Sequence, residues 1–143
     1  MRVKQISVFV ENKSGRLAAI TRALADVGIN VRAMSIADTA DFGILRLIVD
    51  DPVKAHGVLK EQGFAVRITE VLALRVPDEP GGLAGVLEAI EGQKLNVEYM
   101  YAFVEKAEND ALVIVRIENV EQAIPALQEL GVGLIDEDDL YNL

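Results

Sequence analysis

Two short stretches hold the residue types best suited to binding a charged small molecule. Asn12-Lys-Ser14-Gly15-Arg16-Leu17 and Asp78-Glu-Pro80-Gly81-Gly82-Leu83 each place a glycine where an alternating apolar pattern gives way to a helical one. A glycine at such a junction permits unusual dihedrals and lets a ligand approach the backbone. The open N–H groups of the helix that follows favour an anion such as a carboxylate. Asn12 and Asp78, about one turn earlier, carry oxygens that can accept hydrogen bonds from an ammonium group. Both charges together describe a zwitterion, that is, a free amino acid. A glycine between strand and helix is also a plain structural necessity. Its double occurrence fits either reading, because a repeat copies structural necessities too.

Catalysis has little to draw on. The chain contains no Cys and one His. That excludes disulfides, thiol nucleophiles and thiolate metal sites. His56 falls in a helical stretch beside Ala55 and Gly57, with no partner in view to position it as a base. Ser7, Ser14 and Ser35 lack the context of a nucleophile elbow. Asp38 and Asp41 flank a tight turn, which turn chemistry explains better than a carboxylate pair does. Asp136-Glu-Asp-Asp139 lacks the spacing of a calcium loop and reads as a solvated acidic tail. No G-x-G-x-x-G or Walker sequence occurs. The expectation is no catalytic residue, no metal, no cofactor and no enzyme activity of the chain's own.

The two glycine stretches belong to a longer repeat. An offset of 66 carries Gly15 to Gly81, Ile29-Asn30-Val31 to Leu95-Asn96-Val97, and Met34 to Met100. Further on the offset is 68, carrying Ala55 to Ala123, Leu59 to Leu127 and Gly63 to Gly131. The second copy therefore has two extra residues between its middle strands.

One copy suffices to read the elements. Val3 to Val10 alternates, with Ile6, Val8 and Val10 on one face of a strand. Ser14 is the expected N-cap of a helix that carries Leu17, Ile20, Leu24 and Val27, stopped by Gly28. Strands follow over 30–38 and 42–50, joined as a hairpin by Thr39-Ala-Asp41. Asp51-Pro52 opens a second helix. Val58 and Leu59 face inward, Gly63 ends the helix, and 64–69 is the fourth strand. The second copy reads strand 71–77, helix 81–92, strands 96–105 and 111–118, helix 120–130 and a short last strand near 132–137. Asn119 and Gln122 resemble a capping box. Pro125 should bend that helix or delay its start.

Each copy is thus β-α-β-β-α-β, the split βαβ or ferredoxin-like unit. The fold class is α+β, with domains at 1–70 and 71–143. Leu45, Leu47 and Val49 oppose Ile44 and Ile48. Val113, Val115 and Ile117 oppose Leu112 and Ile114. Helices cover one sheet face only, so the antiparallel sheets are expected to pack together and a dimer to bury more.

Composition narrows the partners. Hydrophobic residues make up 51% and charged residues 26%, enough to fill a core. No apolar run reaches the ~18–20 residues of a membrane-spanning helix. The N-terminus lacks the pattern of a signal peptide. A cytoplasmic location and no membrane partner are expected. The net charge of −9 argues against nucleic acid. Residues 1–72 carry 10 Lys and Arg against 8 acids, and residues 73–143 carry 4 against 15. Either the solvated faces drifted apart, or the halves attract each other or a second copy.

A β-strand, then Asn-Lys-Ser-Gly-Arg-Leu, a helix and Ile-Asn-Val resembles the ACT domain, a small-molecule-sensing βαββαβ module. Val-Pro-Asp-Glu-Pro-Gly-Gly-Leu of the second copy is closer to the common form of that motif. The stretch from Ser35 to Val49 also resembles small stand-alone tandem-ACT proteins. The resemblance implies allosteric binding of amino acids where two ACT modules meet. The ligand would be held by the first strand–helix loop and the second strand. Carried over position by position, the binding residues are Asn12, Ser14, Gly15, Arg16, Leu17 and Asn30, then Asp78, Pro80, Gly81, Gly82, Leu83 and Asn96. Ser14 departs from the usual proline, and Arg16 from the small residue at Gly82, so the two sites should differ. Ser35 shares a strand face with Ala33 and Ala37, and the counterparts are Tyr99, Tyr101 and Phe103. The aromatics either fill a sheet face or wall a ligand pocket.

Three functions follow. The first is an amino-acid-binding regulatory module, homodimeric and without its own catalytic domain. The second is a regulatory subunit of a metabolic enzyme, similar to the small subunit of acetolactate synthase. The third is a structural interaction module whose sites no longer bind.

Overall fold

The computed structural model describes residues 2–38, 40–103 and 107–142. Thr39 of the expected turn, the Asp38 side chain and the expected strand end at 104–105 lie outside the described residues. The chain divides into two compact units. One is Lys4–Thr69, the N-terminal unit; the other is Met1–Val3 with Glu70–Leu143, the C-terminal unit. Arg2 belongs with the second because its guanidinium reaches Glu70 at 3.2 Å and Glu121 at 2.9 Å.

The elements run β1 (Val3–Glu11), α1 (Arg16–Asp26), β2 (Val31–Asp38), β3 (Phe42–Val49), α2 (Pro52–Glu61) and β4 (Ala65–Pro77). Then come α3 (Gly82–Gly92), β5 (Val97–Ala102), β6 (Asp110–Ile117), α4 (Val120–Glu129), β7 (Gly133–Leu134) and α5 (Glu137–Tyr141). In the N-terminal unit the strand order is β2-β3-β1-β4. In the C-terminal unit it is β5-β6-β4, with β7 pairing the other side of β4. Each is an antiparallel ferredoxin-like sheet in an α+β fold.

Alternation decides the inward face. Ile6, Val8 and Val10 of β1 and Leu45, Leu47 and Val49 of β3 pack with Ile20, Leu24, Ala55 and Leu59 of the helices. In the other unit Leu72, Leu74 and Val76 join Val113, Val115 and Ile117, with Ile90 and Leu127. The second sheet faces are buried at Ile48 and Ala33, and at Val71, Ala73, Leu112 and Ile114. In the N-terminal unit that burial fails at one end, where Phe9 and Phe42 stay exposed.

Helix ends follow local chemistry. Asp51 caps α2 by accepting from Lys54 N, with Pro52 at the first helical position. Asn119 caps α4 by accepting from Gln122 N at 3.1 Å. Gln122 Oε1 accepts from Asn119 Nδ2 at 3.5 Å rather than from the Asn119 backbone N–H, so the capping box is incomplete. Pro125 sits inside α4, which nevertheless starts at Val120.

Two expectations fail. Residues 64–69 and 71–77 do not form separate strands; β4 runs unbroken from Ala65 to Pro77. Nothing between them is Gly, Pro or Asn, so no local signal turns the chain. The last strand is short as expected, Gly133–Leu134, but the acidic run opens a short helix instead of trailing as a tail. Glu137, Asp138 and Asp139 fill its first turn, where carboxylates suit the exposed N–H groups, and Leu140 is buried.

The repeat also exposes one strained position. α1 closes with Gly28 N bonded to Ala25 O and Ile29 N to Leu24 O, Gly28 having φ 77°. α3 closes with the same pair of bonds, but Lys94 takes the glycine's place at φ 57°. Lys94→Gly should therefore raise unfolding stability by about 0.5–1 kcal/mol, read by urea denaturation.

Candidate functional site

Gly15 leads into α1 with φ 88° and ψ −10°, and no side chain caps the helix. Ser14 is thus not the N-cap. The junction passes through the left-handed region, which costs an L-residue about 1–2 kcal/mol, so glycine takes the capping place. Arg16 N donates to Lys13 O at 3.4 Å and Ala19 N to Gly15 O at 3.0 Å. Between them, the N–H groups of Leu17 and Ala18 meet no acceptor among the described residues. That is the expected state of a first helical turn.

The strand end beside this turn is held firmly. Asn12 N donates to Asp41 O at 2.9 Å, and Asn12 Nδ2 to Ala40 O at 3.2 Å. The Asn12 side chain therefore ties the loop to the β2–β3 turn, and its Oδ1 is the atom left to accept from an ammonium. A small cavity of about 70 Å³ opens here, lined by Val10, Glu11, Asn12, Lys13, Leu17, Ile36 and Gly43. Glu11 pairs with Lys13 at 2.9 Å and, more weakly, with Arg16 at 4.0 Å. The Lys13 hydrogen bond and charge, then Arg16, hold the Glu11 carboxyl below the ordinary glutamate value. Its pairing is complete above that ordinary value and is lost as pH falls through the lowered one. Within the loop, Lys13 and Arg16 stand against Glu11, and Asp41 of the adjoining turn adds a second acid.

The C-terminal loop repeats the backbone and changes the charge. Gly81 has φ 86° and ψ −9°. Gly82 N donates to Glu79 O and Gly85 N to Gly81 O, which leaves the N–H groups of Leu83 and Ala84 without acceptors among the described residues. Asp78 N donates to Asn109 O at 3.2 Å, as Asn12 N does to Asp41 O. The charged residues of the loop are Asp78 and Glu79, both acidic. A Cβ on Gly82 would stand 2.0 Å from Pro77 O. Close backbone packing therefore requires this glycine whether or not a ligand is present.

The residues expected at the site do not all meet. Asn12 and Leu17 line the cavity, with Ser14, Gly15 and Arg16 beside them in the loop. Asp78, Pro80, Gly81, Gly82 and Leu83 form the matching C-terminal loop. Asn30 lies at the opposite end of β2 from that cavity. Its N–H donates to Asp50 Oδ1 at 3.1 Å and its carbonyl accepts from Asp50 N, which closes the base of the hairpin. Asn96 likewise precedes β5 and is exposed. Ser35 pairs with Arg46 across the sheet, Tyr99 with Arg116 and Tyr101 with Ile114. These positions share the face turned away from the helices, whereas Met34, opposite Leu47, and Ile36, opposite Leu45, share the helix face.

The cavity wall on β2 is therefore Ile36, not Ser35. The phase was hidden by an irregularity between Val31 and Ala33, which puts Val31 and Met34 on one face although they are three residues apart. Ile36 was missed for this reason, and Ile36 and Gly43 carry no binding chemistry by type; Lys13 was missed although a loop cation is a signal the sequence offers. Among the described residues no group of His, Cys, Asp and Glu could hold a metal ion. Among the described residues no helix is long and apolar enough to cross a membrane.

The family model described as an ACT domain pair matches residues 1–143, and the chain belongs to that family. The protein BT0572 from Bacteroides thetaiotaomicron is 47% identical, with a TM-score of 0.93 over 100% of this chain and 98% of that one. The ligand-free regulatory subunit of aspartate kinase from Thermus thermophilus shares the fold at 21% identity, with a TM-score of 0.62 over 88% and 91% of the two chains. The corresponding subunit from Thermus flavus does so at 17% identity, with a TM-score of 0.60 over 88% and 90%. Among curated proteins no sequence match is found.

The steric account of Gly82 is open to test. Gly82→Ala should lower unfolding stability by about 1–3 kcal/mol in urea denaturation. Arg16→Ala, at the matching position that already carries a Cβ, should stay within about 0.5 kcal/mol of the parent.

Proposed function

We propose that this ACT domain pair is an amino-acid-binding regulatory module. The observation that carries the reading is the loop pair. Each loop leaves two helix N–H groups open beside a side-chain oxygen suited to an ammonium. An α-carboxylate would bond the Leu17 and Ala18 amides, and the ammonium would reach Asn12 Oδ1. An apolar side chain would lie against Leu17 and Ile36. The C-terminal counterpart would use Leu83, Ala84 and Asp78.

The two loops would not bind alike. Lys13 and Arg16 attract a carboxylate to the N-terminal loop, while Asp78 and Glu79 repel it at the other. The N-terminal loop is therefore the stronger site. Its cavity of about 70 Å³ is small, and Met34 and Ile36 stay exposed beside it on β2, the edge strand of that unit. A second copy laid along this edge would complete the enclosure, which is the reason to propose a homodimer with ligand where modules meet. Regulatory output would then pass through a change of assembly or through a metabolic-enzyme partner.

A thermal-shift panel of the twenty amino acids at millimolar concentration tests the reading. One ligand at about 100 times its Kd should stabilise the chain by about 2.7 kcal/mol. A flat panel would sink the proposal. Ala18→Asp puts a carboxylate on the open amides, so it should keep or slightly raise the melting temperature while weakening that ligand about tenfold. Ala84→Asp should weaken it much less.

A further inference from the structure

A separate cleft lies at the same end of the N-terminal unit, on the other side of β1. Its volume is about 360 Å³, and it is lined by Phe9, Glu11, Arg16, Phe42, Gly63 and Phe64 among others. That size falls within the range of small-molecule sites, about 300–1,000 Å³. Three of the chain's 4 phenylalanines meet here. Phe9 and Phe42 are 53% and 45% exposed, their ring centroids 5.5 Å apart and tilted by 46°. Tilted rings of this kind leave faces and edges on which a third ring can pack. Among the described residues Arg16 has a single ion pair, a long one of 4.0 Å to Glu11, while the other Glu11 oxygen holds Lys13 at 2.9 Å. The guanidinium fork is therefore placed to take a carboxylate in two parallel hydrogen bonds.

The C-terminal unit supplies an internal control. Its cleft occupies the matching place, lined by Arg75, Asp110, Gly131, Val132 and Gly133 among others. Phe9 faces Ile44 across the sheet as Arg75 faces Leu112, and Glu11 faces Phe42 as Pro77 faces Asp110. Arg75 and Asp110 thus stand where Phe9 and Phe42 stand, and they form an ion pair at 3.9 Å. One fold accepts either pair at this place. Folding does not require two adjoining rings in water there, and larger exposed apolar patches mark interaction sites.

We propose that this cleft binds a small aromatic carboxylate, with its ring against Phe9 and Phe42 and its carboxylate on Arg16. The site shares Arg16 with the amino-acid reading but uses neither the open helix amides nor an ammonium acceptor, so either can fail without the other. The test is calorimetric titration of the full chain with 3-phenylpropionate, which has the ring and the carboxylate and lacks the ammonium group. Saturable binding is expected. Phe9→Arg combined with Phe42→Asp copies the C-terminal pair, so the variant should keep its circular dichroism spectrum. Its affinity should fall by at least about tenfold. Arg16→Gln should weaken 3-phenylpropionate and leave its neutral amide unaffected. Absence of binding, or unchanged affinity in the folded double variant, overturns the proposal. So does a parent dimer that this variant turns into monomers, since the rings would then be covered by a second copy.

Discussion

A strand that must become a helix within four residues has to reverse its direction sharply, and the backbone does this at one residue. In both copies that residue is a glycine, near φ 87°. Everything proposed at the loops depends on this junction. The left-handed step aims the first helical turn back across the end of β1. It leaves the second and third amides of the helix open beside the strand end. A side chain there could not act as an N-cap, because the N-cap residue itself is the one in the left-handed conformation. The open amides are a consequence of how the chain turns, and a ligand would use what the turn already supplies.

The elements were legible because two copies of one pattern read each other. Gly28 and Gly63 marked helix ends, and Asp51-Pro52 marked a start; each matches a feature of the structure. The strand junction at Glu70 was not legible as a continuation. The sequence there resembles the repeat boundary, and only the lack of a turn residue hinted that β4 would run through. The short α5 was hidden for a different reason. An acidic run at a chain end looks solvated, and it reads as a first helical turn only once the buried Leu140 beyond it is known.

The site was half legible. Loop residues announce themselves by type: a glycine, an amide, cations. A wall made of Ile36 does not, since an isoleucine on a strand is ordinary. Its facing also depended on an irregularity that alternation alone does not reveal. Asn30 is expected at the site through resemblance alone, and the bonds it makes to Asp50 go through its main chain and close a hairpin away from the cavity. Gly82 carries the same lesson at closer range. The motif places it among ligand contacts, while Pro77 O fills the space that any side chain would need.

Divergence between the copies separates what the fold requires from what it only tolerates. The left-handed glycine, the amide bond from Asn12 or Asp78 to the neighbouring turn, and the paired bonds that close α1 and α3 are present twice. These belong to the fold. Lys13 and Arg16 against Glu79 and Gly82, and Phe9 with Phe42 against Arg75 with Asp110, occur once each. These particular differences lie together at the loop end of the unit. A neutral drift of exposed residues would favour the ion pair in both copies, since water solvates Arg and Asp well and solvates phenyl rings badly. The N-terminal unit keeps the arrangement that is worse in water, beside the more positive of the two loops. Its specialisation therefore points outward, to something that is both apolar and negatively charged.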